Sequence, residues 1–330
     1  MSKGRMHGDY RSRGDDSGKK GTMISIVIPV FNEEGSLSEL YRRITVVMKY
    51  MHLPYELIFV DDGSTDRSLE IMLELSEKDK DVKIIQLSRN FGHQLAIIAG
   101  IDYARGEAVI MMDSDLQHPP EIIEKLIEKW HEGNDVVYTC RDQTQDASLF
   151  KNFTAQCFYM LVNYLAEVNI STGTADFRLL DRRVVESLRT FEERSIFLRG
   201  LINWVGYRQA SISYRADARY SGKSKYSFLR MLRFATHGIT SFSSIPLYVS
   251  AFLGILISFC SFIYGTMIIY ARLFTNRLVE GWTSVMVVLL FLGGIHLITL
   301  GVQGIYLGQV YKEVKRRPRY LIRRVYGTGQ

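Results

Sequence analysis

The sequence predicts an α/β protein, a mostly parallel sheet with helices on both faces, followed by amphipathic helices and two transmembrane helices. Three observations predict it. Short β-branched apolar runs alternate with helix-period segments from Met23 to Tyr138. The turns between them are short and hold Gly and Asp, which favours parallel strands with crossover helices. Residues 234–271 and 281–311 contain no Asp, Glu, Lys or Arg.

Residues 1–22 are polar and rich in Gly, Ser and charge, and read as a disordered leader. Ile24–Pro29 is then the first strand, and Glu34–Met51 a helix with Leu37, Leu40, Ile44 and Val47 on one face. Tyr55–Val60 reads as a strand, Asp66–Lys78 as a helix, Val82–Leu87 as a strand and His93–Ala104 as a helix. Glu107–Met112 follows as a strand, Pro120–Glu132 as a helix with prolines at its start, and Asp135–Tyr138 as a strand. Phe150, Phe153, Cys157, Leu161, Tyr164 and Val168 share one helical face. This segment, about 147–168, reads as an amphipathic helix on the membrane surface, with a core-packing helix as the alternative. Tyr226–His237 is a second such helix, apolar on one face and basic beside it.

Pro246–Tyr270 is uncharged, and as a helix it reaches ~37 Å, enough to cross a ~30 Å hydrocarbon core. Thr283–Val310 is a second span whose glycines suit close helix packing, with a second copy of the chain as a candidate partner. After it come Lys312, Lys315, Arg316, Arg317, Arg319, Arg323 and Arg324. The positive-inside rule puts that tail in the cytoplasm, and two spans return the chain to its starting side. The expected organisation is leader 1–22, cytoplasmic α/β domain 23–225, juxtamembrane helix 226–243, membrane spans 244–311 and basic tail 312–330.

Composition narrows the function. The chain has 330 residues, 47% hydrophobic and 23% charged, too apolar for a disordered protein. Its three cysteines, Cys140, Cys157 and Cys260, are too sparse for a disulfide scaffold or a Cys-ligated zinc site. The net charge of +6 is accounted for by the membrane-proximal basic residues, and no nucleic-acid motif accompanies it. Neither a P-loop nor a Gly-x-Gly-x-x-Gly turn is present.

The chemistry gathers where strands end, the usual ligand side of such sheets. Asp113-Ser114-Asp115-Leu116-Gln117 follows the fourth strand. Residues two apart in an extended segment point the same way, so both carboxylates can face one hard cation, Mg²⁺ or Mn²⁺, bridging to phosphates. Asp61 and Asp62 close the second strand side by side, where a hydrogen-bond donor of a ligand or a cation offsets their repulsion. Ser64 or Thr65 can cap the helix that follows, with Asp66 in its first turn. The first strand ends in Pro29-Val30-Phe31-Asn32-Glu33, and the third in Arg89-Asn90-Phe91-Gly92, with a cation for phosphate.

Taken together these motifs resemble family 2 glycosyltransferases of the GT-A fold. Gly173-Thr-Ala-Asp176-Phe-Arg178, Phe197-Leu-Arg199-Gly200 and Arg219-Tyr-Ser-Gly222-Lys223-Ser-Lys225 narrow the resemblance to polyprenyl-phosphate glycosyltransferases. Dolichyl-phosphate mannose synthases and, by the two C-terminal spans, bactoprenol glucosyltransferases are similar. The resemblance implies a nucleoside diphosphate sugar, UDP-glucose favoured over GDP-mannose, and a polyprenyl phosphate acceptor. It implies inverting transfer, with Asp113, Asp115 and Gln117 on the metal and Asp176 as base or as a sugar-orienting carboxylate. A salt bridge from Asp176 to Arg178 or Arg182 is the alternative. Pro29, Phe31, Asn32, Glu33, Asp61, Asp62, Arg89, Asp113, Ser114, Arg219, Lys223 and Lys225 are the implied donor-site residues, and Arg141, Lys151 and Thr154 those for the acceptor phosphate. The loop Arg141–Ser148 departs from the pattern in having a single Arg. A processive polysaccharide synthase lacks support, because Trp204 is not preceded by Arg and only two spans are present. A non-catalytic lipid-carrier scaffold or transporter is the remaining rival.

Overall fold

The computed structural model describes residues 22–141, 174–193, 197–214, 244–274 and 281–327. Strand and helix alternate as β1 (Ile24–Val30), α1 (Leu37–Met51), β2 (Tyr55–Asp61), α2 (Ser68–Lys78), β3 (Val82–Leu87), α3 (His93–Tyr103) and β4 (Ala108–Met111). A 3₁₀ turn, Pro120–Ile122, leads into α4 (Ile123–His131), and β5 (Val136–Arg141) follows. Then come β6 (Thr174–Asp181), α5 (Arg182–Arg189), α6 (Leu198–Trp204), β7 (Gln209–Tyr214), α7 (Ile245–Phe274), α8 (Trp282–Val314) and β8 (Ile322–Tyr326).

One sheet orders the strands β7-β5-β6-β4-β1-β2-β3-β8. β1 pairs in parallel with β2 and β4, β2 with β3, and β5 with β7. β6 and β8 are the antiparallel members. Every residue of β1 and β4 is buried, as expected of central strands covered on both faces. One face packs Leu37, Leu40 and Ile44 of α1, Met72 of α2 and Ile123, Leu126 and Trp130 of α4. The other packs Ala96 to Ile101 of α3 with Val184 and Val185 of α5 and Leu201 of α6.

Charges at the amino end of the sheet are satisfied internally. Buried Glu56 accepts from Ser25 Oγ (2.6 Å) and the Arg105 N–H (2.6 Å), and pairs with Lys83. Asp181 accepts from Trp130 Nε1 (2.8 Å) and caps α5 through the Arg183 N–H (3.0 Å). Arg182 and Arg189 donate to the carbonyls that end α3: Arg182 to Ala104 (3.1 Å) and Gly106, Arg189 to Ile101 and Asp102 (2.8 Å each). Cations there complement the negative end of the helix dipole.

Several boundaries differ from the sequence reading. α1 starts at Leu37, not Glu34, because Glu33 and Glu34 bond the neighbouring loop instead. Ser64 and Thr65 do not cap α2, whose first residue is Ser68; they bond Asn32. α8 continues through Lys312 and Glu313 to Val314, and the tail then folds back as β8 on the edge of the sheet. α7 and α8 are both long and apolar enough to cross a membrane. The leader and the helices expected over 147–168 and 226–237 lie outside the described residues.

Candidate active site

Four strand ends and two helix starts build one charged cleft. At the end of β4, burial alternates along 113–120: Asp113, Asp115, Gln117 and Pro119 are partly open, while Ser114, Leu116, His118 and Pro120 are buried. The segment bends rather than continuing β4 as an extended strand. Leu116 holds a positive φ of 62°, a conformation that costs a bulky residue about 1–3 kcal/mol. That turn lets Asp115 Oδ1 accept the Gln117 N–H (3.1 Å). His118 lies stacked on Phe177 (5.4 Å between centroids), with Nδ1 3.4 Å from the Asp113 N–H.

Asp113 Oδ1 is buried with no hydrogen-bond partner. The atom faces His93 Nε2 at 3.3 Å, and a carboxylate so placed also suits a hard divalent cation. Among the described residues no group of three or more His, Cys, Asp or Glu side chains is placed to hold a metal ion by itself. An open site of Asp113, Asp115 and Gln117, completed by substrate phosphates, is the arrangement Mg²⁺ favours.

Asp176 projects from β6 beside this turn. Arg199 of α6 is a partner the sequence reading did not name: Nε and Nη2 donate to the two Asp176 oxygens at 2.6 and 2.9 Å, while the buried Arg178 also feels the Asp176 charge. Arg182 is committed to carbonyls at the other end of the sheet. His93, the first residue of α3, holds Nε2 3.3 Å from Asp113 Oδ1 and 3.6 Å from Asp176 Oδ2. Burial disfavours the Asp176 carboxylate, yet the bonds from His93 and Arg199 outweigh it and hold its pKa far below the ordinary range. Desolvation opposes a charged His93, and the bond to Asp176 and the charge of Asp113 overcome it, raising its pKa. Burial lowers Arg178 to about 10, so it stays charged at neutral pH.

The loops after β1, β2 and β3 are stitched together. Asn32 Oδ1 accepts the Thr65 N–H (2.8 Å), and the Glu33 N–H donates to Ser68 Oγ (2.9 Å). Gly63, at φ 74°, passes so close to the next loop that a Cβ would lie 2.8 Å from the Arg89 carbonyl carbon. Asp61 accepts the Ser64 N–H (2.9 Å). Asp62 uses both oxygens on the Phe91 and Gly92 N–H groups (2.7 and 2.9 Å), so backbone amides balance it and it shapes the loop. Burial still pushes the pKa of both aspartates up. Phe31 is 42% exposed at the rim, after Pro29 in β1. The guanidinium of Arg89 lies 4.2 Å over the Phe91 ring and donates to the Asn90 carbonyl (3.0 Å).

Arg141 ends β5 in register with Tyr214, at the carboxyl edge. Lys151, Thr154, Arg219, Lys223 and Lys225 lie outside the described residues. His93 was not singled out in the sequence, although it directly follows Arg89-Asn90-Phe91-Gly92. Arg199 stood only inside a longer motif, and nothing in its spacing from Asp176 announces their pairing.

The glycosyl transferase family 2 profile matches residues 25–189. The chain is 46% identical over 303 residues to the uncharacterized glycosyltransferase YkcC of Bacillus subtilis (strain 168), covering 92% of this chain and 94% of that one. It is 44% identical to the uncharacterized glycosyltransferase sll0501 of Synechocystis sp. (strain ATCC 27184 / PCC 6803 / Kazusa), covering 92% and 96%. It is 39% identical to the SfII prophage-derived bactoprenol glucosyl transferase of Shigella flexneri, covering 91% and 97%. With its carboxylate turn at the end of β4 and likeness over nine-tenths of its length, the chain belongs to glycosyl transferase family 2.

Proposed function

We propose that the protein transfers a hexose, glucose from UDP-glucose, onto a membrane polyprenyl phosphate. One observation carries this reading: His93 faces both Asp113, just after β4, and Asp176, which Arg199 also holds. The name of the Shigella flexneri relative supports the lipid acceptor and the sugar. Two apolar helices supply the bilayer contact that such an acceptor requires.

Asp113, Asp115 and Gln117 would hold Mg²⁺ or Mn²⁺ on the donor diphosphate. The ion, when bound, neutralises charge on the leaving group. Phe31, Asn32, Glu33, Asp61 and Arg89 line the nucleoside side, with Asp62 holding the Phe91–Gly92 backbone. The buried Ser114 backs the metal turn. An acceptor phosphate oxygen attacks the anomeric carbon, the bond to the diphosphate oxygen breaks, and the nucleoside diphosphate leaves with the electron pair. Attack from the opposite face inverts the configuration.

A phosphate monoester with a second pKa of about 6 is mostly dianionic at neutral pH and needs little help from a base. Asp176, held ionised by Arg199 and His93, is suited to orient a sugar hydroxyl. Arg141, Lys151 and Thr154 remain the candidates for the acceptor phosphate, and Arg219, Lys223 and Lys225 for a loop closing on the diphosphate.

β8 follows α7 and α8 yet belongs to the same sheet as β1 to β3. With both helices across a bilayer, the domain and the C-terminal strand share one side, and the basic residues after α8 make it the cytoplasmic side.

The test is an in vitro assay of purified protein with short-chain polyprenyl phosphate, divalent metal and a panel of labelled nucleotide sugars. Label enters the lipid phase from UDP-glucose alone and stays out with EDTA. Transfer from GDP-mannose alone would reassign the donor. No transfer from any donor, by folded protein that binds UDP, would favour the scaffold.

A further inference from the structure

The segment that returns from α8 holds residues 88–102 at both ends, one beside the donor loop and the other at the far end of α3. At the near end, the Ser88 N–H donates to the Leu321 carbonyl (2.8 Å). At the far end, Tyr320 Oη donates to Asp102 Oδ2 (2.7 Å). Between those grips lie Arg89, Phe91 and His93. Phe91, Tyr320 and Ile322 also pack against the same apolar cluster under α3.

The attachment is built rather than incidental. β8 pairs antiparallel with β3 through Leu87↔Ile322, Gln86↔Arg324, Ile85↔Val325 and Ile84↔Tyr326. The ladder is irregular between Gln86 and Leu87, next to Ser88, as where a strand is re-aimed. Tyr326 Oη lies 3.3 Å from Gln86 Oε1. Gly327 adopts φ 76°, and a Cβ there would run into the Val82 carbonyl oxygen, so the chain can end the ladder this way only with glycine.

We propose that Tyr320–Gly327 is a positioning segment for the donor site, so that nucleoside diphosphate binding depends on residues beyond both membrane helices. This rests on the donor reading above. Asp62 alone holds the Phe91 and Gly92 amides from the β2 side. The returning segment holds the same loop from the β3 edge, and without it one flank of the loop opens to solvent.

The experiment compares three forms of the full membrane protein in nanodiscs: wild type, Tyr320→Phe, and a chain ending at Arg319. UDP affinity with Mn²⁺ is measured by calorimetry, and amide exchange by mass spectrometry. The shortened chain is expected to bind UDP at least tenfold more weakly, with exchange at Phe91 and Gly92 at least tenfold faster. Tyr320→Phe is expected to weaken binding two- to fivefold, with the same exchange signature. A folded, shortened chain with wild-type UDP affinity and exchange overturns the proposal. If the shortened chain does not fold, Tyr320→Phe and Gly327→Val decide: unchanged affinity and unchanged exchange in both overturn it. Wild-type protein that binds no UDP contradicts the donor reading instead, and the exchange comparison still tests the positioning.

Discussion

At the amino end of the sheet, each buried charge described has a partner from the chain: Glu56 has Ser25, Lys83 and the Arg105 amide, and Arg182 and Arg189 have the last carbonyls of α3. At the carboxyl end, carboxylates outnumber such arrangements. Asp61 and Asp62 adjoin, Asp113 and Asp176 share one imidazole, and Asp113 Oδ1 has no hydrogen bond. The same fold thus uses buried charge twice. At one end it locks strands and helix ends together, and at the other it gathers carboxylates on loop amides, His93 and Arg199. The pKa values of Asp61 and Asp62 are raised, since burial disfavours both anions.

Substitutions at the two ends should separate activity from stability. The largest effect is expected from Asp113→Asn: turnover falls about 10³-fold or more, while the thermal midpoint holds or rises. A loss of folding stability in that variant would erase the distinction between the ends. Glu56→Ala is the mirror case. Breaking a buried pair costs about 3–5 kcal/mol in denaturant unfolding, with turnover per folded molecule unchanged.

Arg199→Gln tests whether the Asp176 pair belongs to the catalytic end. Turnover should fall roughly 10–100-fold through misplacement of Asp176. The pH profile should move as well. Arg199 depresses the Asp176 pKa, so the stabilisation it gives is full above the ordinary carboxylate range and is lost as pH falls through the folded value. Without Arg199 the acid limb of the rate profile shifts to higher pH. An unmoved limb would make the pair a structural strut. The smallest effect is expected from Arg182→Ala, about 1.5 kcal/mol of stability from lost charged hydrogen bonds, with no change in KM for either substrate.

The strands and helices from Ile24 to Tyr138 were legible because their apolar periods are strong and long. The place of Asp113 at the end of β4 was legible because the apolar run before it is local. β6 and β7 were not, since Asp176, Arg178 and the polar Gln209-Ala-Ser-Ile-Ser-Tyr214 run blur any alternation. β8 was hidden inside a basic stretch, where Arg323 and Arg324 read as part of a basic cytoplasmic tail. The Arg199–Asp176 pair spans 23 positions and exists only once α6 crosses over β6. Long-range pairing of this kind leaves no periodic trace in a sequence.

The edge strand β8 also sets an order of assembly. It is drawn from the last residues of the chain, and its partner β3 from the first third. During synthesis, the β3 edge therefore stays open until α7 and α8 have left the ribosome. An open strand edge is a template for wrong pairing. Chains cut short by premature termination after α8 would carry both long apolar helices and an uncovered edge, and quality control would meet them as aggregation-prone products rather than as inactive enzymes.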